Sequence, residues 1–307
     1  MTTPTIQNPG LISWGLLILL SIIWGASFLS VSYALESFSP LMLAAVRIFI
    51  AAICLTSLAF IIGEKLPALS TKEGLTIWLH CLGMGLFSNV LPFSLLSWGQ
   101  QYVSSGFAGI SMAIVPLLVL PLSIIFVAEE YFSFKKLIGF SIGFVGIILL
   151  IGPNSILNVG ENNMSTARLA CVAAAACYSI GSIITRRCPK VSLISFSAAA
   201  LILASITIVP IALMTEELPQ NLSFRSVLAI SYLSFIPTAV ATIILVRIIQ
   251  TAGPAFMSQV NYQVPIWSII FGTLFLNEVL PTKFFLAFLL IVAGLLITQA
   301  KIWRLRP

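Results

Sequence analysis

Aspartate is missing from this chain, and its whole acidic complement is nine glutamates. Only one histidine, His80, is present. A catalytic triad, a paired-carboxylate centre or a His-rich metal site needs residues that are not available in this composition. The five cysteines (Cys54, Cys81, Cys171, Cys177, Cys188) show no CxxC or other paired spacing, so a thiolate metal or redox site is not expected either. They read as small apolar packing residues. No HExxH stretch occurs, and neither a metal nor a cofactor is implied. The chain therefore does not read as an enzyme.

Charge is scarce as well. Charged residues make up 8% of the sequence, against about 25% in ordinary globular domains. A water-facing surface cannot be built from so few. The formal net charge of +6 comes from Lys and Arg scattered between apolar blocks, with no continuous basic patch, so nucleic acid is not an expected partner. The first ten residues carry no Lys or Arg, and the apolar run Leu11 to Leu35 exceeds the roughly 7–15 residues of a signal-peptide core. It is expected to remain as a first membrane span.

What is present is apolar: 59% of residues are hydrophobic. Spans of about 20 predominantly apolar residues fall near Leu11 to Leu35, Pro40 to Ile62, Leu75 to Gly99, Val103 to Ala128 and Phe134 to Ile151. A second set follows at Leu169 to Thr185, Val191 to Thr215, Ser226 to Ile249, Ala252 to Asn277 and Phe284 to Trp303. The polar, Asn-rich connection Gly152 to Arg168 separates five from five. The expected fold class is an all-α membrane protein of ten transmembrane helices arranged as two inverted five-helix repeats, with the halves at residues 1–155 and 156–307. Inversion follows because five spans bring the chain out on the opposite side.

Basic residues set the orientation. On the side of the N-terminus lie Lys65, Lys72, Lys135, Lys136, Arg186, Arg187, Lys190, Arg247, Lys301, Arg304 and Arg306. The other side has only Arg168, Arg225 and Lys283. Both termini are expected in the cytoplasm. A shift of 149 residues pairs Gln101 with Gln250, Pro116 with Pro265 and Glu129 with Glu278, along with several apolar residues. Gln, Pro and Glu agreeing at one offset are the informative part of this match.

The run Ile22-Ile23-Trp24-Gly25-Ala26-Ser27-Phe28, then Ser39-Pro40 followed by Arg47, resembles the drug/metabolite transporter superfamily, particularly its EamA-type members. Ser105-Gly106, Pro116 and Glu129 in the fourth span, and Gly253-Pro254, Pro265 and Glu278 in the ninth, extend the resemblance over nearly the whole chain. Departures lie in the second half: Tyr178-Ser179 stands where a recurrence of Trp-Gly would fall, and the seventh span has no counterpart of Arg47. The resemblance implies ten helices, alternating access and a central cavity between the halves.

Candidate site residues are those whose polarity is expensive at depth in a membrane. Arg47 lies about 10 Å inside the second span at 1.5 Å per residue. It reads either as a ligand for an anionic group such as a carboxylate or as a structural or snorkelling arginine. Trp24, Ser27, Asn89, Tyr178, Asn261 and Tyr262 fall near mid-membrane on different spans and are expected to line the substrate cavity, with Gln259, Gln263, Trp98 and Trp267 as further pocket or interfacial residues. Glu129 and Glu278 are expected as gating or helix-end residues. A carboxylate at a helix C-terminus opposes the macrodipole, so each should have a specific partner. Pro116 and Pro265, with Pro92, Pro121 and Pro237, remove helical hydrogen bonds and suit hinges. His80 is read as a packing or interfacial residue. Gly139-Phe140-Ser141-Ile142-Gly143 offers a small-residue packing face; whether it serves a homodimer stays open.

The expected partners are thus the lipid bilayer and a small-molecule substrate. The reading is an inner-membrane secondary transporter exporting amino acids or amino-acid-like metabolites, with uptake of a vitamin or nucleoside-like metabolite as the alternative. A proton relay through a mid-membrane carboxylate is not expected, because no Glu lies mid-span.

Overall fold

In hydrocarbon a backbone N–H or C=O without a partner is costly, so long apolar runs fold as helices that satisfy their own backbone. The structure is a computed structural model that describes residues 10–126, 134–152, 162–252 and 260–299. Its helices are α1 (Leu11–Ala34), α2 (Pro40–Ile61), α3 (Lys72–Gly85), α4 (Leu91–Gly99), α5 (Ser105–Ser111), α6 (Ile114–Phe126) and α7 (Phe134–Ile151). They continue with α8 (Asn163–Arg187), α9 (Leu193–Thr215), α10 (Phe224–Ser234), α11 (Ala241–Ala252), α12 (Val260–Leu276) and α13 (Thr282–Gln299). Two π-helical turns, Leu86–Val90 and Phe235–Val240, join α3 to α4 and α10 to α11. No strand occurs among the described residues. Polar residues start several helices: the side chains of Thr71, Ser104, Asn162, Ser192 and Ser223 accept from N–H groups of the first turns of α3, α5, α8, α9 and α10.

Among the described residues six helical stretches are long and apolar enough to cross a bilayer: Leu11–Ala34, Pro40–Ile61, Lys72–Gly99, Asn163–Arg187, Leu193–Thr215 and Phe224–Leu245. Shorter apolar stretches are Ser105–Val119, Leu137–Ile151, Val260–Leu276 and Thr282–Gly294. Two expected boundaries are corrected. The fourth span is not one helix from Val103: it is interrupted at Met112–Ala113, between α5 and α6. Pro116 has no N–H to offer the Met112 carbonyl, which instead accepts from Val115 at 3.1 Å. Ala252 ends α11 rather than opening the ninth span.

The halves interleave. Helix α2 packs along α9, α7 along α13, and α5 along α12. Helix α1 packs against α10 and α12, while α8 packs against α4 and α6. Helices approach closely where side chains are small, as is usual when lipid provides no hydrophobic drive to associate. The small-residue face of α7 is used within the chain: Gly294 of α13 sits against Gly139 and Gly143, and a Cβ on Gly146 would come within 2.9 Å of the Ala287 carbonyl. Gly25 of α1 lies against Trp267 of α12 in the same manner. Large apolar side chains such as Ile61, Leu79, Phe224 and Leu289 are exposed, as expected for surfaces solvated by lipid.

Helices α2 and α9 run antiparallel and are capped at both ends by each other. Glu216, just past α9, accepts from the Ser39 hydroxyl and from the Leu41 and Met42 N–H groups at the start of α2. Glu64, just past α2, accepts from the hydroxyl of Ser192, the N-cap of α9. Each carboxylate thereby sits at the positive end of its neighbour's dipole rather than only at the negative end of its own.

Candidate functional site

Arg47 is 7% exposed and is the one charged side chain buried in the described core. Its Nε donates to the Thr238 hydroxyl at 3.2 Å, and its guanidinium carbon lies 3.8 Å over the Phe93 ring. Tyr178 and Tyr232 are within electrostatic reach of it. It does not snorkel. Placing a cation at depth costs about 2.5–3.5 kcal/mol on insertion scales. A stacked ring returns about 0.5–2 kcal/mol, and one hydrogen bond from a charged donor about 1.5–3 kcal/mol. Among the described residues no carboxylate pairs with Arg47, and its terminal nitrogens Nη1 and Nη2 take no hydrogen-bond acceptor.

The two π turns frame this residue from both halves. Pro237 cannot donate the helical hydrogen bond to the Leu233 carbonyl, and the Thr238 hydroxyl donates to that carbonyl instead at 2.9 Å. The widened turn leaves the Pro237 carbonyl to accept from Trp24 Nε1 at 3.1 Å. In the first half, buried Asn89 donates through Nδ2 to the Met84 carbonyl at 3.4 Å. Pro92 follows that turn as Pro237 occupies the other. Single π turns in otherwise α-helical segments are frequent at functional sites. Tyr232 closes this side by donating its hydroxyl to the Ile23 carbonyl at 2.9 Å.

Helices α1 and α8 approach the turns in equivalent ways. Trp24 of α1 bonds to the second turn, and Gly181 of α8 presses on Phe87 and Ser88 of the first. One position past Trp24, Gly25 contacts α12. One position past Tyr178, Ser179 donates to the Val115 carbonyl of α6 at 3.1 Å. In the second half, then, Gly181 rather than Tyr178 meets the π turn, while Ser179 ties α8 to α6. The Tyr178 hydroxyl has no hydrogen-bond partner among the described residues and its ring packs against the same core cluster as Trp24.

Of the residues expected to line a cavity, Trp24, Arg47, Asn89 and Tyr178 occupy these linked elements. Ser27 does not reach out: its hydroxyl donates to the Trp24 carbonyl one turn earlier, at 2.6 Å. Asn261 and Tyr262 are half-buried at the start of α12, and Tyr262 packs against the cluster that holds Trp24 and Tyr178. Beside them Gln263 accepts from Ser21 at 3.1 Å. His80 is bound to the Thr76 carbonyl at 2.8 Å on its own helix. Gln259 and Glu129 lie outside the described residues.

Glu278 has the specific partner expected of it. Asn277, with φ of 54°, ends α12 in a left-handed conformation. The following carboxylate accepts from the Ser105 and Gly106 N–H groups at 2.6 and 2.9 Å, at the positive end of α5. Pro265 lies inside α12 and Pro116 inside α6. A cleft of about 440 Å³ lies among Pro40, Leu41, Ser94, Leu95, Trp98, Gln101 and Glu216. It sits at the start of α2, two helical turns from Arg47. Trp98 stacks obliquely with Tyr102 there, their centroids 5.4 Å apart.

Phe93, Tyr232 and Thr238 were not evident from the sequence. Thr238 could have been found, because the repeat offset of 149 carries Asn89 onto it. Phe93 and Tyr232 had no such signal among so many aromatics.

Residues 12–152 and 165–299 each match the EamA-like transporter family. The chain is 28% identical over 293 residues to the uncharacterized inner membrane transporter YedA of Escherichia coli (strain K12), covering 94% of this chain and 91% of that one. It is 24% identical over 281 residues to protein PecM of Dickeya dadantii (strain 3937), covering 90% and 89%. A solved crystal structure superposes with a TM-score of 0.67 at 19% identity, covering 94% of this chain and 97% of the other, a likeness of fold.

Proposed function

The chain belongs to the EamA-like transporter family, a membrane transporter of two repeated units, and on that premise we propose that it is an inner-membrane secondary transporter working by alternating access. Six long and four shorter apolar stretches among the described residues support a reading as ten spans in two inverted repeats of five, and the excess of Lys and Arg on the side of the N-terminus supports placing both termini in the cytoplasm. Export of amino acids or amino-acid-like metabolites is the favoured activity. A likeness to a relative named as an inner membrane transporter supports the location.

The observation that carries this reading is the pair of π turns at equivalent places in the two halves, the second holding Trp24 and the buried Arg47 and the first holding buried Asn89. Transporters of inverted-repeat design place substrate where irregular helices of the two repeats meet at the midplane. The antiparallel pairing of α2 with α9 is the packing that inversion would give.

The test is uptake and efflux of a radiolabelled metabolite panel in proteoliposomes of the purified protein. Saturable flux of at least one carboxylate-bearing metabolite, counter-stimulated by the same compound on the other side, is the expected result. Linear, unsaturable leakage for every compound would overturn the reading.

A further inference from the structure

Arg47 is a cation without a counter-charge. It is more than nine-tenths buried, its Nε and ring face are occupied by Thr238 and Phe93, and its two terminal nitrogens point to no acceptor among the described residues. A guanidinium presents its terminal N–H groups as a flat fork matched to a carboxylate. The Tyr178 hydroxyl, within electrostatic reach of Arg47, takes no hydrogen-bond partner among the described residues. The described glutamates Glu36, Glu64, Glu73, Glu216, Glu217 and Glu278 lie at helix ends or in connections, away from this centre. The site can therefore neutralise one negative charge and has, among the described residues, no acid to hold a positive one.

We infer that Arg47, stacked on Phe93, is the docking point for the carboxylate of an organic monoanion, and that recognition rests on the carboxylate and not on an ammonium group. This deepens the transport reading and rests on it. A single cation suits a carboxylate better than a phosphate dianion, which would need a second one. The rings of Trp24, Phe93 and Tyr178 suit an apolar body. On this inference an amino acid is accepted for its acid end, and removing its amino group does not weaken binding.

The experiment measures ligand-induced thermal stabilisation of the purified protein in detergent, alongside flux in proteoliposomes. The probes are isocaproate and hydrocinnamate, their amides, and leucine and phenylalanine, with chloride and phosphate as inorganic anions. Expected results are stabilisation by at least one of the two simple acids, apparent affinity at least as good as that of the matching amino acid, and at least tenfold weaker binding of the amide. Arg47→Gln should abolish the difference between acid and amide, and Arg47→Lys should keep part of it.

Equal binding of acid and amide, a strict need for the amino group, or no binding of any carboxylate would overturn the inference. Protection by chloride or phosphate alone would assign the centre to an inorganic ion and overturn it too. The comparison of acid with amide uses the unaltered protein, so it stands even if Arg47→Gln fails to fold. Saturable flux of a neutral solute untouched by Arg47→Gln would overturn the carboxylate site while leaving transport intact.

Discussion

Asn89 and Thr238 make the same hydrogen bond in the two halves of the molecule: each side chain, set in a π turn, reaches back five residues to a carbonyl in the last turn of the helix before it, Asn89 to Met84 and Thr238 to Leu233. A π turn leaves helical backbone groups displaced from their regular partners, and here a short polar side chain is the substitute in each case. The two residues then diverge. Thr238 also accepts from Arg47, so the second turn joins backbone repair to the placement of the buried cation.

This divergence sets an order of severity. Asn89→Ala removes one neutral hydrogen bond, worth about 0.5–1.5 kcal/mol. Thr238→Val keeps the shape, loses its bond to Leu233 and strips the acceptor from a charged donor, for about 2–4 kcal/mol in all. Thermal unfolding in detergent should place Thr238→Val well below Asn89→Ala. Substrate affinity should also fall more for Thr238→Val, because the Arg47 fork is no longer held. Equal effects would mean that the two turns are merely structural.

The paired turns also show how far the sequence could be read. Composition and run length implied a helical membrane protein, because lipid leaves few alternatives for the backbone. The offset match of Pro116 with Pro265 and Glu129 with Glu278 exposed the repeat because polar coincidences are rare in such a chain. Arg47 stood out because a charge at that depth needs a reason. Its neighbours did not, since Phe93 is one of 21 phenylalanines and its selection depends on how α4 leaves the first π turn. The reciprocal caps of Glu64 and Glu216 were also hidden, as they depend on which helices pair.

Topology can be checked independently of transport. Single cysteines placed at Asn162 and Gln220 should react with a membrane-impermeant thiol reagent added to intact cells, and cysteines at Lys65 and Lys190 should react only after permeabilisation. The reasoning is the excess of Lys and Arg in the connections on the side of the N-terminus. The opposite labelling pattern would reverse the molecule in the membrane.

Coupling follows from where acids are missing. Among the described residues no carboxylate lies near Arg47, and His80 is engaged with the Thr76 carbonyl of its own helix. A substrate gradient alone should therefore drive flux in vesicles without a pH gradient, and His80→Ala should leave the rate within about twofold, as expected for a surface substitution. Flux that vanished without a pH gradient and became independent of it in His80→Ala would assign the histidine a proton-carrying role.

The carboxylate caps divide the helices into a fixed pair and a releasable one. Helix α2 is tied to α9 at both ends, through Glu216 at Ser39, Leu41 and Met42 and through Glu64 at Ser192. Opening the Glu216 end would leave the carboxylate and the Leu41 and Met42 N–H donors without partners, and opening the other would strip Glu64 of the Ser192 hydroxyl, so the two helices should move as one body. Glu278 ties α12 to α5 by two backbone hydrogen bonds at a single helix start. Loss of a cap of this kind costs about 0.5–2 kcal/mol, within reach of the free energy of substrate binding. A short bifunctional thiol reagent bridging cysteines at Ser39 and Glu216 should thus leave flux largely intact. The same reagent bridging cysteines at Ser105 and Glu278 should stop it, with recovery on reduction. Glu278→Ala, by contrast, should increase thiol labelling of a cysteine at Ser104 from the side on which this contact lies. If the first bridge blocked transport and the second did not, α2 and α9 would be the moving elements, and Glu278 would be a helix cap without a gating role.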